Sequence, residues 1–151
     1  MGAISIRDYR EADWGRLQAI HDGTRMDELR LAGLEAAFLP LSVAAGREGL
    51  FEYALRVAEL DGTAAGFAAF TADELAWLYV DPALSRRGVG RALAEDALGR
   101  MGRPAFVEVL EGNASALGLY LSCGFRQVET ASGQMPGNEE FFVTCRVLRL
   151  D

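Results

Sequence analysis

The stretch Ser85–Leu98, SRRGVGRALAEDAL, sets two arginines against a Gly-Val-Gly and then runs on with helical spacing. Val89, Leu93, Ala97 and Met101 recur at i+4 and Gly102 with Pro104 closes the pattern, so a helix is predicted from about Gly88. Apolar runs flank it: ELAWLYV (74–80) and AFVEVL (105–110) read as strands. Strand, helix and strand in that order make a right-handed crossover, which places the two strands parallel in one sheet with the helix on a face. The glycine corner therefore lies at a strand-to-helix junction.

Working outward, ISIRDY (4–9) alternates as a half-buried strand, and Asp13 is placed to cap a helix carrying Trp14, Leu17 and Ile20 on one face. RMDELRLAGLEAAF (25–38) has helical spacing that Pro40 interrupts, and SVAAGREGLF (42–51) fits a short helix or a loop. YALRVAEL, the turn DGT and AAGFAAFTA (53–72) read as a hairpin leading into ELAWLYV. Beyond the crossover, Asn113 caps a helix with Ala116, Leu119, Tyr120 and Cys123, Gly124 ends it, and FRQVETA and EEFFVTCRVLRL supply closing strands. This is α/β (α+β) material with a mixed sheet, forming one domain over 1–151.

Composition narrows the function. The net charge of −7 disfavours a nucleic-acid partner and suits a cationic small molecule or peptide. No apolar run approaches the roughly 20 residues that span a bilayer, and the start lacks a secretory layout, so the expectation is a cytoplasmic protein without a membrane partner. Cys123 and Cys145 lack CxxC spacing and the single His21 has no nearby ligand-type companion, so no metal site is expected. The cysteines read as small core residues and His21 as a polar helix residue.

A helix start presents backbone N–H groups without partners and carries partial positive charge, an arrangement that attracts anions. Gly88 and Gly90 let a phosphate approach the backbone, and Arg86 and Arg87 add charge, so a pyrophosphate fits the corner. The P-loop pattern GxxxxGK(S/T) fails because the chain contains no lysine. The dinucleotide pattern GxGxxG matches at Gly88 and Gly90, with Glu108 20 residues after Gly88, but Leu93 replaces its third glycine.

A second motif, NASALGLYLSCGF (113–125), follows the second parallel strand. Together, YVDPALSRRGVGRAL (79–93) and NASALGLYLSCGF resemble the GNAT superfamily of acetyl-coenzyme A-dependent N-acetyltransferases, whose signatures are V-x-P-x-x-(Q/R)-x-x-G-x-(G/A) and N-x-x-A-x-x-L-Y-x-x-x-G-F. The second matches at every specified position. The first matches at Val80, Pro82, Gly88 and Gly90, whereas Ser85 stands where the family has Gln or Arg, with Arg86 and Arg87 just after it.

The resemblance implies a single GNAT-like domain whose twisted sheet has central splayed parallel strands flanked by helices, with acetyl-coenzyme A as co-substrate. The backbone of Arg87, Gly88, Val89, Gly90 and Arg91 would receive the pyrophosphate, beside Ser85 and Arg86. The pantetheine would run along backbone groups near Leu78 and Val80, and an amide around Tyr79 or Val80 would face the oxyanion. Asn113 would cap its helix and contact the cofactor. Tyr120 would protonate the departing thiolate as general acid. Glu108 would be the general base, its carboxylate desolvated by flanking apolar residues, with Glu74 and Glu111 as alternatives acting through water.

The acceptor would be a primary amine, on a small molecule or a peptide, bound by about residues 21–50 and a loop at 131–139, where Asp22, Asp27, Glu28, Glu139 and Glu140 offer negative charge. A homodimer is compatible with such a domain. Two readings stay open at this point: a non-catalytic acyl-coenzyme A-binding or sensing domain, which would not need Glu108 or Tyr120, and a dinucleotide-binding protein.

Overall fold

Two antiparallel sheets meet at one point. The computed structural model describes residues 2–151. The first sheet, in order β1 (Ile4–Asp8), β2 (Ala54–Leu60), β3 (Thr63–Phe70) and β4 (Leu75–Val80), stands beside a second in order β5 (Ala105–Leu110), β7 (Asn138–Leu150) and β6 (Arg126–Met135). The helices are α1 (Trp14–Leu31), α2 (Leu41–Arg47), α3 (Val89–Arg100) and α4 (Ala114–Ser122).

The crossover β4–α3–β5 forms as the spacing predicts, with Val89, Leu93 and Ala97 of α3 buried. Its two strands, however, pair only at the bridge Glu74–Phe106, where the Phe106 N–H donates to the Asp73 carbonyl at 2.7 Å. The expected splay of the two parallel strands is thus present, and it divides the mixed sheet into two antiparallel sheets joined at a single parallel contact. The physical reason lies in β4. Ala69 faces Trp77 while Phe70 faces Leu75, so Ala76 is an extra residue in that strand. Such a bulge bends its strand and adds twist, turning β4 away from β5.

The bulge also reassigns side chains. Leu75 packs with α3, Ala58, Ala68 and Phe70 on one face, and Trp77 packs with Leu17 and Ile20 of α1, Leu41 of α2, Val57 and Phe67 on the other. In a regular strand two residues so spaced would share a face. Gly66 lets the layers close: a Cβ there would stand 2.7 Å from the Tyr79 carbonyl oxygen and 3.1 Å from Leu93 Cδ1.

Three local expectations change. Asp13 does not cap α1; its buried carboxylate accepts both terminal nitrogens of Arg7, each at 2.8 Å, and the Arg10 N–H at 2.8 Å, because a charge-assisted fork is stronger than a cap. The helix begun at Trp14 runs unbroken to Leu31, taking in the first half of 25–38, while α2 begins directly after Pro40. The expected loop at 131–139 is mostly strand, since β6 and β7 turn through Pro136 and Gly137 alone, with Gly137 at φ 78°.

Replacing Gly66 by Ala should destabilise the fold by about 1–3 kcal/mol, since backbone atoms rather than a flexible tip must move. Urea denaturation of G66A checks this, and an unchanged midpoint would show that β3 and β4 are less closely fitted than described.

Candidate active site

Where β4 and β5 diverge, the structure holds a cavity of about 840 Å³. Its walls come from α1, α2, β4, the turn before α3, β5, α4 and the β6–β7 hairpin.

At one end stands the start of α3. Arg86 and Gly88 both take left-handed backbone angles, φ 63° and 85°, which turn the chain into the helix. The first bond of the helix is Ala92 N–H to the Gly88 carbonyl at 3.0 Å, so the amides of Val89, Gly90 and Arg91 have no intrahelical acceptor. A Cβ on Gly90 would make only ordinary contacts, 3.5 Å to Leu119 Cδ2 and 3.6 Å to Val80 Cγ2. Protein packing thus does not require glycine there; its absent methyl widens the cavity wall. Ser85, Arg86 and Gly88 to Arg91 line the cavity and Arg87 does not. The Arg91 guanidinium is held by Glu95 at 2.8 Å and Ser122 at 3.0 Å, whereas Arg86 makes no ion pair among the described residues. Arg86, one residue after Ser85, is therefore the side chain free to meet an anion.

Along the side wall runs the open edge of β4. Asp81 donates its N–H to the Ala65 carbonyl of β3 at 2.8 Å, and backbone groups alternate along a strand, so those of Tyr79 also face β3. Those of Leu78 and Val80 face the gap. Of the two amides expected near the oxyanion, Val80's faces the gap and Tyr79's faces β3. The Val80 carbonyl is taken by the Thr24 hydroxyl of α1 at 2.7 Å.

Tyr120 reaches the same cavity from α4. Asn113 caps that helix, its Oδ1 accepting the Ala116 N–H at 3.2 Å, and its Nδ2 donates to Glu28 at 3.0 Å. The Tyr120 ring packs edge-on against Phe125, and burial raises the phenol's pKa above its ordinary value. Its hydroxyl has no protein partner, yet among the described residues no fully buried side-chain oxygen or nitrogen is unpaired. The hydroxyl therefore opens into the cavity.

Six carboxylates line the wall away from the start of α3, Asp27, Glu28, Glu48, Glu74, Glu108 and Glu139, with Arg25 and Arg47 among them. Glu108 is exposed rather than desolvated, because Val107 and Val109 turn to the opposite face of β5 and bury there. Glu111 lies outside the cavity. Glu74 is half-buried, and burial together with Glu108 and Asp73 raises its carboxyl. Glu48, next after α2, is half-buried, and burial pushes its carboxyl up to about 7, with Arg25 opposing and Glu139 reinforcing. Burial likewise pushes the Cys145 thiol up to about 11, so this half-buried cysteine stays protonated at neutral pH.

The segment 131–139 contributes Met135 to Glu139 to the wall, and exposed Glu140 contributes nothing. Glu28 and the segment 21–50 reach the wall as expected, whereas sequence reasoning gave no site role to Glu48, His21, Thr24 or Arg25, which line it too and with Glu28 form the α1 face. That face had a legible signal, polar residues at i, i+3, i+4 and i+7 on a helix. Glu48 had none.

The sequence profile of the acetyltransferase (GNAT) domain matches residues 51–127. The chain belongs to the GNAT acetyltransferase family. No curated protein matches this GNAT chain in sequence. Solved structures share its fold. A GCN5-related N-acetyltransferase from Rhodopseudomonas palustris is 20% identical with a TM-score of 0.78, covering 99% of this chain and 96% of its own. The protein yncA from Salmonella typhimurium, solved with its cofactor acetyl-CoA, is 21% identical with a TM-score of 0.67, covering 99% and 94%. The ribosomal-protein-S18-alanine N-acetyltransferase of Escherichia coli is 24% identical with a TM-score of 0.66, covering 98% and 93%. No helix among the described residues of the GNAT domain is long and apolar enough to cross a membrane, and no group of metal-ligating side chains occurs among them.

Because the Glu48 carboxyl is raised, its ionisation opposes folding: the cost is absent below the ordinary carboxyl pKa and grows as pH rises toward about 7. At pH 8 Glu48→Gln should be more stable than the native chain by roughly 1–3 kcal/mol, and near pH 4.5 the difference should vanish. Denaturation at the two pH values checks this; equal differences would show that Glu48 is solvated.

Proposed function

We propose that this GNAT domain transfers acetyl from acetyl-coenzyme A directly to a primary amine on a small molecule or a peptide. One observation carries the reading: a single cavity joins the unpaired amides at the start of α3, the free edge of β4 and the Tyr120 hydroxyl to a wall bearing six carboxylates. The residues fit the co-substrate's parts. The α3 amides and Arg86 suit a pyrophosphate, the wall beside Gly90 leaves room for it, and the Leu78 and Val80 backbone offers an extended arm a strand-like partner. Acetyl-coenzyme A supplies the thioester carbonyl that the amine attacks and the thiolate that leaves.

An alkylammonium ion has a pKa near ~10 and must lose a proton before its nitrogen can attack. The cavity carboxylates attract the cation. Glu48 is the group whose environment suits the proton, since a carboxyl titrating at about 7 is ionised often enough to accept one at neutral pH and basic enough to hold it. Exposed Glu108 lacks that desolvation. It stands with Glu74 at the start of the splay, where water reaches both. As the nitrogen bonds the carbonyl carbon and the C–S bond breaks, Tyr120, buried and protonated at neutral pH, donates to the thiolate and is restored by the second proton the nitrogen sheds, while the Val80 N–H faces the carbonyl oxygen.

The test is release of free thiol across a panel of primary amines. Tyr120→Phe should lower kcat by about 10² or more while the KM for acetyl-coenzyme A stays put. Glu48→Gln should remove the inflection near pH 7 from the kcat/KM profile. Coenzyme A binding without turnover on any amine would overturn the proposal in favour of a binding domain.

A further inference from the structure

The polar face of α1 holds one unused group. Thr24 donates to the Val80 carbonyl, Arg25 pairs with Glu28 and touches Met135 Sδ, and Glu28 also accepts from Asn113. His21, one turn before Thr24, is 2% exposed. Its Nδ1 lies 3.0 Å from Asp22 Oδ1, and the same oxygen accepts the Leu41 N–H at 2.9 Å, which ties the carboxylate to the start of α2. A carboxylate only accepts, so Nδ1 carries the hydrogen. The ring is wedged by Tyr79, edge-on at 4.9 Å, and by Trp77 at 6.1 Å.

Its Nε2 has no partner. Among the described residues no fully buried side-chain nitrogen or oxygen is unpaired, so this atom reaches the cavity that His21 lines. Burial lowers the imidazole's pKa; Asp22 and Glu28 oppose that and Arg25 adds to it, while Tyr79 faces the ring from β4. The result at neutral pH is a fixed, uncharged ring presenting one lone pair. A lone pair in a desolvated wall recognises an N–H or O–H donor and repels a carbonyl or an anion.

We propose that His21 Nε2 is a seat for the acceptor amine, accepting one of its N–H bonds and so orienting the nitrogen lone pair toward the β4 edge. This rests on the acetyl-transfer reading of the same cavity. Once Glu48 has taken one proton from R–NH3⁺, the nitrogen of R–NH2 keeps two N–H bonds. His21 accepts one of these without a proton moving to the ring. Thr24, one turn on, is bonded to Val80, so the seat lies next to the edge that would hold the acyl group.

The chain contains one histidine, so ¹⁵N-histidine labelling gives one imidazole to observe in the full-length protein. From pH 6.5 to 8 the spectrum should show a protonated Nδ1 and an unprotonated Nε2. With coenzyme A present, adding n-butylamine or phenethylamine should shift Nε2 while Nδ1 stays. In kinetics, His21→Phe should raise the amine KM at least ~10-fold, the loss of one desolvated hydrogen bond, with the KM for acetyl-coenzyme A unmoved. His21→Gln, which can present an amide oxygen in the same direction, should recover most of it. A ring protonated at Nε2, or an unchanged amine KM in His21→Phe, would overturn the proposal. So would equal impairment of both variants with a lowered thermal midpoint, which marks a structural role. If amines shift Nε2 but none is acetylated, the seat stands and the acetyl-transfer reading fails. If amines are acetylated while Nε2 stays silent, the reverse holds.

Discussion

The bridge between Glu74 and Phe106 is the one place where the two sheets touch as parallel strands, and the site depends on their parting beyond it. Had β4 and β5 stayed paired, the backbone groups of Leu78 and Val80 would have bonded β5 and the gap would have closed. The extra residue Ala76 turns β4 away and leaves those groups facing a cavity. Because α3 follows β4 through the turn at Ser85–Gly88, the same divergence brings the amides of Val89, Gly90 and Arg91 to the head of the gap. The open edge and the helix start are thus two consequences of one bend.

The cavity is electrically divided. Arg86 and the α3 amides make the head of the gap attractive to anions, while the rest of the wall, with six carboxylates against Arg25 and Arg47, is attractive to cations. On the α1 face Thr24, Arg25 and Glu28 are engaged by the protein, while His21 is bonded through Nδ1 and leaves Nε2 without a partner. A division of this kind suits a reaction that brings a phosphate-bearing donor and an ammonium-bearing acceptor together end to end. In the proposed transfer Glu48 would take the proton of the ammonium ion and Tyr120 would protonate the thiolate, each with a pKa moved upward by burial.

How much of this was legible depended on the range of the interactions involved. The helix at Val89–Arg100, the hairpin before it and the cap at Asn113 follow from local spacing and turn chemistry, and they stand where the pattern put them. The glycine corner was legible because a helix start acts through its own backbone. Two expectations rested on burial, which no local pattern reports. Flanking valines suggested that Glu108 was desolvated, but alternation on β5 buries them on one face and exposes Glu108 on the other. His21 looked like an ordinary polar residue because Tyr79, Trp77 and the Leu41 amide that surround it or its partner Asp22 come from distant parts of the chain. Glu48 was hidden for the same reason: it is buried in part against the β6–β7 turn, where a Cβ on Gly137 would stand 2.8 Å from Glu48 Cγ.

Coenzyme A binding in the proposed mode depends on which backbone amides are left open. Amide hydrogen exchange, followed by NMR with and without coenzyme A, reads them one by one. New protection is expected at Leu78, Val80 and Val89 to Arg91, with Tyr79 already protected in the free protein through β3. Protection absent from those amides at saturating coenzyme A, or Tyr79 exchanging freely until the ligand is added, would contradict that mode.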